Sequence, residues 1–341
     1  MDRQNVTIRD IAMRTGVSKS TVSRVLCNDV HVSPETREKV LACARELDFE
    51  PNYFAKALKT QRSRTIAYFV PNIEILIYPA IIQAMEDETL KRGYTILLCD
   101  IQENKEIAKE YITKLKSGSV DGFIFSTAFF DVSENEEIRE AEATGLPCVN
   151  LLRTDGSSTP SVSLDNRKGS ALAVDYLVSR GMRRIAYLQG QEELKLYRDR
   201  YAGYVEALEK NGLPLDEKLV WHGMKNGSMT VSEELTRVIN EGTRFDAVLC
   251  ASDNLAVETI HILTQLGMNI PDDVSIIGYD NVPISEFLVP RLTAIAQPFK
   301  EMGRKAVDVL VDMIEGKEDG NGVHFTFDPA LIERDTVRKL D

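Results

Sequence analysis

The segment 7–28 constrains the fold of this chain more than any other, because its spacing predicts two short helices joined by a tight turn. Thr7 is a favourable N-cap for the first helix, and Gly16 ends it because glycine readily adopts positive φ. Ser18 is a favourable cap for the second helix, whose inward positions repeat at i, i+3 and i+4. Such a pair forms either a helix-turn-helix that fits the major groove of DNA or an ordinary helical hairpin.

The outward face of the predicted second helix carries short polar side chains and one arginine. These positions are Lys19, Ser20, Thr21, Ser23 and Arg24. The arginine is long enough for a bidentate contact with guanine, and Lys19 and Ser20 are expected to read neighbouring bases. Thr7 and Thr21 are expected to contact phosphate, and Asn28 completes the predicted DNA-contacting set of this segment.

A third helix and a hinge follow this pair. Ser33, Pro34 and Glu35 form a start signal, with a cap, a proline at the first helical position and an acid in the first turn. A short helical piece over 53–58 comes next, and the polar run over 59–64 is typical of a linker.

Charge is distributed unevenly along the 341 residues, whose net charge is −12. Residues 1–64 carry 12 Lys and Arg against 8 Asp and Glu, a net charge of +4, whereas the remainder carries −16. A basic head on an acidic body indicates a nucleic-acid-binding end, because the attraction of phosphate acts locally.

Several other classes of protein find no support in the sequence. No apolar run approaches a membrane span and the N-terminus is unlike a signal peptide, so we expect a cytoplasmic protein. The five cysteines share no metal-ligand spacing and are expected to be free thiols. The motifs G-x-G-x-x-G, G-x-x-x-x-G-K-[ST] and G-x-S-x-G do not occur, so we expect no enzyme, cofactor or metal site.

From residue 65 onward, strand and helix patterns alternate in two blocks, separated by a Ser-, Thr- and Gly-rich break over 154–161. This alternation predicts two open, doubly wound, parallel sheets. Ligands of such sheets bind at the carboxyl ends of the strands, so two facing lobes are expected to form a cleft there.

Together these features resemble the lactose-repressor/galactose-repressor (LacI/GalR) family of bacterial transcription regulators. Motifs in the family's order occur at residues 52–59, 66–71, 120–122, 165–166, 200–204, 252–253, 278–281 and 292–298. The resemblance therefore covers nearly the whole chain. It implies an all-α helix-turn-helix head over 1–50, a hinge over 51–64 and a two-lobed, doubly wound α/β periplasmic-binding-protein-like body over 65–341.

The resemblance also implies that three crossovers join the two lobes of the body. The expected first lobe covers about 65–160 and 291–320, and the expected second lobe covers about 161–290 and 321–341. On this scheme strand 293–297 and helix 301–314 return to the first lobe, and segment 323–333 returns to the second.

In the family, two hinge helices lie in the minor groove of DNA, and a leucine from each wedges open the central base step. Leu58 matches that leucine, and Ala57 and Lys59 flank it. The implied target is a near-palindromic double-stranded DNA operator, since the two identical heads of a homodimer bind two matching half-sites.

Polar residues at strand-to-helix junctions of the second lobe match positions that the family uses for its effector. Asp253 and Asp280 follow strands, and Arg200 opens a helix. A carboxylate accepts hydrogen bonds from sugar hydroxyls, and an arginine donates two in a fork. The alternative for Asp253 is a helix cap, and Arg198 is the alternative to Arg200.

The resemblance implies further effector contacts from Tyr78, Arg153 and either Trp221 or His222, with core packing as the alternative for Trp221. The segment 73–78 departs from the polar pattern of the family, since it is mostly aliphatic. This departure favours either an effector less polar than a simple sugar or polar contacts from Glu74 and Tyr78.

The sequence therefore predicts a DNA-binding transcriptional repressor controlled by a small-molecule effector, a sugar or related metabolite, bound between the lobes. The alternative is a global carbon catabolite regulator whose corepressor is a phosphorylated carrier protein docked on the first lobe. A solute-binding protein of a transporter would carry an export signal and no DNA-binding head. The sequence argues against this class on both points, because its N-terminus is unlike a signal peptide and a DNA-binding head is predicted.

Overall fold

The computed structural model describes residues 6–26, 31–49, 62–126, 136–152, 159–223 and 230–339. The chain forms two compact units, which divide between Ser63 and Arg64. Within the described ranges, no helix combines the length and the apolar character that crossing a membrane requires.

In its described ranges, the first unit is built on three short helices, α1 (Ile8–Thr15), α2 (Lys19–Leu26) and α3 (Pro34–Glu46). Gly16 follows α1 with a φ of 70°, which confirms the predicted glycine turn. Ser33 caps α3, as predicted, because its side chain accepts a hydrogen bond from a backbone N–H in the first turn. Apolar residues of all three helices share one small core: Ile11, Val22, Val25, Val40 and Cys43.

The second unit contains two sheets of six strands each among the described residues. In chain order the strands are β1 (Thr65–Val70), β2 (Thr95–Asp100), β3 (Gly122–Phe125), β4 (Cys148–Leu151), β5 (Ser161–Leu164), β6 (Ile185–Gln189), β7 (Val220–His222), β8 (Ala247–Cys250), β9 (Ser275–Asp280), β10 (Thr293–Ala296), β11 (His324–Phe327) and β12 (Ala330–Ile332).

Helices connect most of these strands. Within the described part of the second unit they are α4 (Tyr78–Lys91), α5 (Lys105–Leu115), α6 (Glu136–Glu142), α7 (Asn166–Ser179), α8 (Lys195–Lys210), α9 (Val231–Asn240), α10 (Asp253–Gln265) and α11 (Phe299–Ile314).

The strand order is β11-β5-β4-β3-β1-β2 in the first sheet and β12-β10-β9-β8-β6-β7 in the second. Neighbouring strands run parallel except β10 and β12, which are antiparallel. Central strands such as β3 and β8 are buried along their whole length, because a doubly wound sheet is covered on both faces. The predicted fold class, a helical head and two doubly wound parallel sheets, is therefore confirmed.

The structure corrects the expected return of strand 293–297 to the first lobe. Strand β10 pairs with β9 in the second sheet, with Thr293 opposite Ile277, and only the helix that follows it joins the first lobe. The segment 323–333 also divides, since β11 pairs with β5 in the first sheet and β12 pairs with β10 in the second. Strand β10 is mostly buried, and buried strands have the same apolar pattern in either sheet, so the sequence pattern did not show to which sheet it belongs.

The chain passes between the two sheets at three places within the described residues. These places lie between β5 and α7, between β10 and α11, and between β11 and β12. The first and third are adjacent, because Asp165 N–H donates a 3.0 Å hydrogen bond to the carbonyl of Phe327. The ammonium of Lys168 also lies 2.7 Å from the carboxylate of Asp328. The first and third crossovers are thus neighbours, and all three crossovers leave the carboxyl ends of strands.

Candidate functional site

A cavity of about 200 Å³ lies where the carboxyl ends of both sheets meet. The first lobe contributes the segment between β1 and α4 and the residues that end β4 and β5. The second lobe contributes the starts of α8 and α10 and the residue that ends β9. The lining residues are Ile75, Leu76, Ile77, Tyr78, Glu103, Leu152, Leu164, Asn166, Gln191, Leu194, Leu196, Tyr197, Arg200, Ser252, Asp253, Asn254, Asp280, Val282 and Gln297.

Arg200 is held in the floor of this cavity by partners on three sides. Its Nε donates to Oδ1 of Asn166 at 2.9 Å, and its Nη2 donates to Oδ1 of Asp280 at 3.1 Å. The guanidinium also lies 3.7 Å from the centre of the Tyr279 ring, a cation–π contact. Burial opposes the charge of Arg200, but Asp280 and the surrounding tyrosines leave its pKa above the ordinary value.

Asp280 is the counter-ion of Arg200 and ends strand β9. Its Oδ1 accepts a second hydrogen bond from Nε2 of Gln297, at 2.6 Å. Burial raises the pKa of Asp280, while Arg200 and Gln297 oppose that shift. The backbone at Asp280 has a φ of 110°, a conformation that non-glycine residues rarely adopt. A residue keeps such a strained backbone only where its surroundings hold it in place, and here Arg200 and Gln297 hold the side chain of Asp280.

Asp253 is the first residue of α10 and lies almost wholly buried at the cavity. Its Oδ2 accepts hydrogen bonds from Val282 N–H at 2.8 Å and from the Ser285 hydroxyl at 2.7 Å. Among the described residues, no donor reaches its buried Oδ1. The helix cap is Ser252, whose side chain accepts from a backbone N–H of the first turn. Asp253 therefore fastens α10 to the loop after β9, and the expected alternative of a helix cap is wrong.

The described first-lobe wall of the cavity is mostly aliphatic, as the departure over 73–78 predicted. Ile75, Leu76, Ile77 and Leu152 form most of it, and all four are at least partly exposed to solvent. Glu103 adds one exposed carboxylate to this wall. Tyr78 also lines the cavity, but its hydroxyl donates to the carbonyl of Ser126 at 3.2 Å.

Trp221 does not line the described cavity. Its indole is fully buried, packs edge-to-face on Phe245 at 4.9 Å and donates from Nε1 to the carbonyl of Lys218 at 2.9 Å. The core-packing alternative is therefore correct for this residue. Arg198 also faces away, since its Nη1 donates to the carbonyls of Glu192 and Glu193.

Two residues that position the ion pair escaped the sequence analysis. Asn166 binds Arg200 and begins α7, and Gln297 binds Asp280 and follows β10. Both residues lie at crossovers and within motifs that resemble the family, and this position in the sequence could have identified them. A third lining residue, Tyr197, lies one helical turn before Arg200 and places its ring 5.5 Å from the guanidinium. Arg153, the remaining predicted contact, lies outside the described residues.

The outward strip of α2 is largely open to solvent. Lys19, Ser20 and Arg24 are exposed, whereas Thr21 and Ser23 are half-buried. The Ser18 hydroxyl lies 2.7 Å from that of Ser20 and 2.9 Å from that of Thr21, and it also caps the helix through Thr21 N–H.

At the start of α1, Thr7 donates its hydroxyl proton to the Asp10 carboxylate at 2.7 Å. A hydroxyl has one proton, so Thr7 would have to release Asp10 in order to donate to a phosphate. Asn28, Ala57, Leu58 and Lys59 lie outside the described residues.

The comparisons with known proteins agree with this architecture. Residues 7–52 match bacterial regulatory proteins of the lacI family, and residues 174–337 match a periplasmic binding protein-like domain. The chain is 33% identical to the HTH-type transcriptional regulator RegA of Clostridium saccharobutylicum, over 97% of this chain and 99% of that protein. It is 32% identical to the HTH-type transcriptional repressor PurR of Vibrio parahaemolyticus, over 98% and 99%.

A solved structure of the lac repressor dimer, bound to operator and the anti-inducer ONPF, has the same fold. Its TM-score is 0.85 at 27% identity, and the match covers 98% of this chain and 99% of that one. A helix-turn-helix head followed by two facing sheets with a cleft defines a class of DNA-binding transcriptional regulators. The chain belongs to the lacI family of bacterial regulatory proteins, and this family consists of regulators rather than enzymes.

Replacing Asp253 by asparagine is expected to change how stability depends on pH. Burial and the charge of Asp280 raise the pKa of Asp253 from 3.8 to about 7. Between pH 3.8 and about 7, Asp253 therefore keeps a proton in the folded protein that the unfolded chain releases. The contribution of Asp253 to the free energy of unfolding is lost as pH rises toward 7. The neutral amide of Asp253→Asn keeps an oxygen for Val282 and Ser285, so this loss, on the order of a few kcal/mol, should disappear.

The measurement is the midpoint of thermal unfolding at pH 5 and pH 8 for wild type, Asp253→Asn and the exposed control Asp87→Asn. The Asp253 variant should gain stability relative to wild type at pH 8, whereas the control should not. An equal difference from wild type at both pH values would show that Asp253 does not hold the proton.

Proposed function

We propose that this protein is a cytoplasmic repressor that binds a near-palindromic operator as a homodimer and is controlled by a small molecule between its lobes. The observation that carries the proposal is the buried Arg200–Asp280 pair in the floor of a cavity with walls from both lobes. A ligand shifts a conformational equilibrium only if it binds the two states differently. A ligand that touches both walls does so, because opening the cleft removes one set of contacts.

DNA recognition is assigned to the exposed strip of α2. Arg24 is suited to base reading, and the excess of basic residues over 1–64 supplies attraction to phosphate. The RegA and PurR relatives carry helix-turn-helix names, and the similar lac repressor structure contains operator DNA.

The homodimer is supported by apolar side chains that project from the body into solvent. Leu90 at the end of α4 is 64% exposed, and Leu97 lies on the edge strand β2. On the second lobe, Phe287 and Val289 are 76% and 95% exposed. Such side chains are stabilised when a second copy covers them, and the similar lac repressor structure is a dimer.

A phosphorylated carrier protein is a weaker candidate for the controlling partner. On the surface shared by α4 and α11, Arg92 lies 3.0 Å from Asp308, 2.6 Å from Asp312 and 3.5 Å from Glu315. Lys317 pairs with two of the same carboxylates, so the cations of this cluster are already engaged by Asp308, Asp312 and Glu315 and offer little attraction to a phosphate group.

Arg24→Ala is expected to relax the choice of DNA sequence, because one bidentate base contact supplies about 1–3 kcal/mol of discrimination. The measurement is selection of binding sites from a random DNA pool, followed by affinities for selected and random sequences. Wild type should select an inverted repeat, as a homodimer requires, and Arg24→Ala should lose preference at one position of each half. Arg45→Ala, on α3, removes the same charge as a control. Equal losses on both DNAs would show that Arg24 only contacts the backbone, and a site without two-fold symmetry would contradict the homodimer.

Asp280→Asn is expected to abolish the response to effector while leaving basal DNA binding intact. Asparagine keeps the size of the side chain and tolerates positive φ, but it removes the counter-charge of Arg200 and one acceptor. The measurement is a thermal-shift screen over sugars and nucleosides, followed by DNA affinity with and without each compound that binds. Asp272→Asn, in an exposed loop, is the control. If Asp280→Asn responds with wild-type sensitivity, the cleft is not the effector site and the carrier-protein alternative becomes the better account.

A further inference from the structure

A second pocket, called the outer pocket below, lies in the second lobe at the carboxyl ends of β6 and β7. Its volume is about 520 Å³, and it opens to solvent. It shares no lining residue with the cleft, because the segment between β6 and α8 turns Gln191 and Leu194 to the cleft and Glu192 to the outer pocket. Ligands of parallel sheets bind at such strand ends. The side chains that define the outer pocket are Gln189, Glu192, Arg198, Tyr201, Glu217 and His222.

Gln189 is the buried polar residue of the outer pocket. It ends β6 opposite His222 of β7, and residues in parallel register point to the same face of a sheet. That face is turned to α8, since the ring of Tyr187, two residues earlier, stacks on Tyr204 of α8 at 4.9 Å. Gln189 is only 6% exposed, and no described residue forms a hydrogen bond with its side-chain amide. A buried amide without a partner is costly, so this group is available to a ligand.

The charged side chains of the outer pocket leave an excess of negative charge. They are the carboxylates of Glu192 and Glu217 and the guanidinium of Arg198. Arg198 directs Nη1 to the carbonyls of Glu192 and Glu193, at 2.9 and 2.7 Å. Nδ1 of His222 lies 2.8 Å from Oε1 of Glu192, whereas Glu217 is exposed and pairs with no described cation. A cationic ligand would balance this charge.

The aromatic wall of the outer pocket favours an organic cation. Tyr201 lies in a cluster of rings, 5.6 Å from Tyr187 and 6.2 Å from Tyr204. Burial and the charges of Glu217 and Glu192 raise the pKa of Tyr201, so its ring stays neutral beside both carboxylates. The face of such a ring attracts an ammonium group. In the described part of the chain, no three His, Cys, Asp or Glu side chains are grouped as metal ligands, so the carboxylates suit an ammonium better than a metal ion.

We propose that the outer pocket binds a small organic cation, namely a primary ammonium on a short chain that also carries a hydroxyl or amide. The ammonium lies between Glu192 and Glu217 against the ring of Tyr201, and the hydroxyl or amide pairs with the amide of Gln189. This site is additional to the cleft. It does not depend on the cleft being the effector site, so the two assignments can fail separately.

The test is an NMR titration of the full-length protein with 4-amino-1-butanol at about pH 8, where an ordinary imidazole is neutral. The amino alcohol should saturate its site below about 10 mM, and its neutral counterpart butane-1,4-diol should bind about tenfold more weakly. Replacing both carboxylates, by Glu192→Gln with Glu217→Gln, should lower the affinity for the amino alcohol about tenfold. The control, Glu193→Gln with Glu209→Gln, removes the same charge from exposed residues outside the outer pocket and should keep wild-type affinity.

Gln189→Met tests the hydrogen bond, because it removes the amide with little change in volume. It should weaken binding of 4-amino-1-butanol several-fold and leave binding of butylamine, which lacks the hydroxyl, unchanged. Asp280→Asn should bind the amino alcohol as wild type does, since Asp280 lines only the cleft. Loss of binding in Asp280→Asn would place the cation in the cleft and overturn the proposal. Equal binding of diol and amino alcohol, no saturation by about 10 mM, or equal losses in the double variant and its control would also overturn it.

Discussion

The buried ion pair of Arg200 and Asp280 is the interaction on which the cleft depends. Their side chains are only 5% and 12% exposed, so both charges have lost most of their water. A buried pair is tolerated only when further hydrogen bonds satisfy it, and here Asn166, the Ala251 carbonyl and Gln297 do so. These partners come from different elements, so the pair fixes the relative positions of α7, α8, β8 and β9 at the polar floor.

The same pair touches two of the three described passages between the lobes. Asn166 lies directly after the first passage, and Gln297 lies within the second. Oδ1 of Asp280 accepts hydrogen bonds from both Arg200 and Gln297. A ligand donor that binds this oxygen would therefore compete with Gln297, a residue of the second crossover. On the proposed function, a ligand at the floor would therefore be connected to the crossovers through one carboxylate oxygen. A few kcal/mol of differential binding suffice to shift an equilibrium between open and closed lobes.

Much of the fold was predictable, because caps, glycine turns and the alternation of strand and helix are local signals. Gly16, Ser18 and Ser33 act as their residue types indicated. The sheet to which β10 belongs was not predictable, because strands buried on both faces share one apolar pattern. The direction of a side chain is a tertiary property, so the sequence did not reveal that Trp221 turns into the core or that Gln297 reaches Asp280.

The central claim is that occupation of the cleft and binding of DNA are coupled. The most direct measurement is the affinity of a cleft ligand, the tightest binder of the thermal-shift screen, for free protein and for protein saturated with selected operator. Linkage requires the operator to change ligand affinity by the same factor by which the ligand changes operator affinity. Equal ligand affinity with and without operator, for a compound whose binding Asp280→Asn abolishes, would contradict the account.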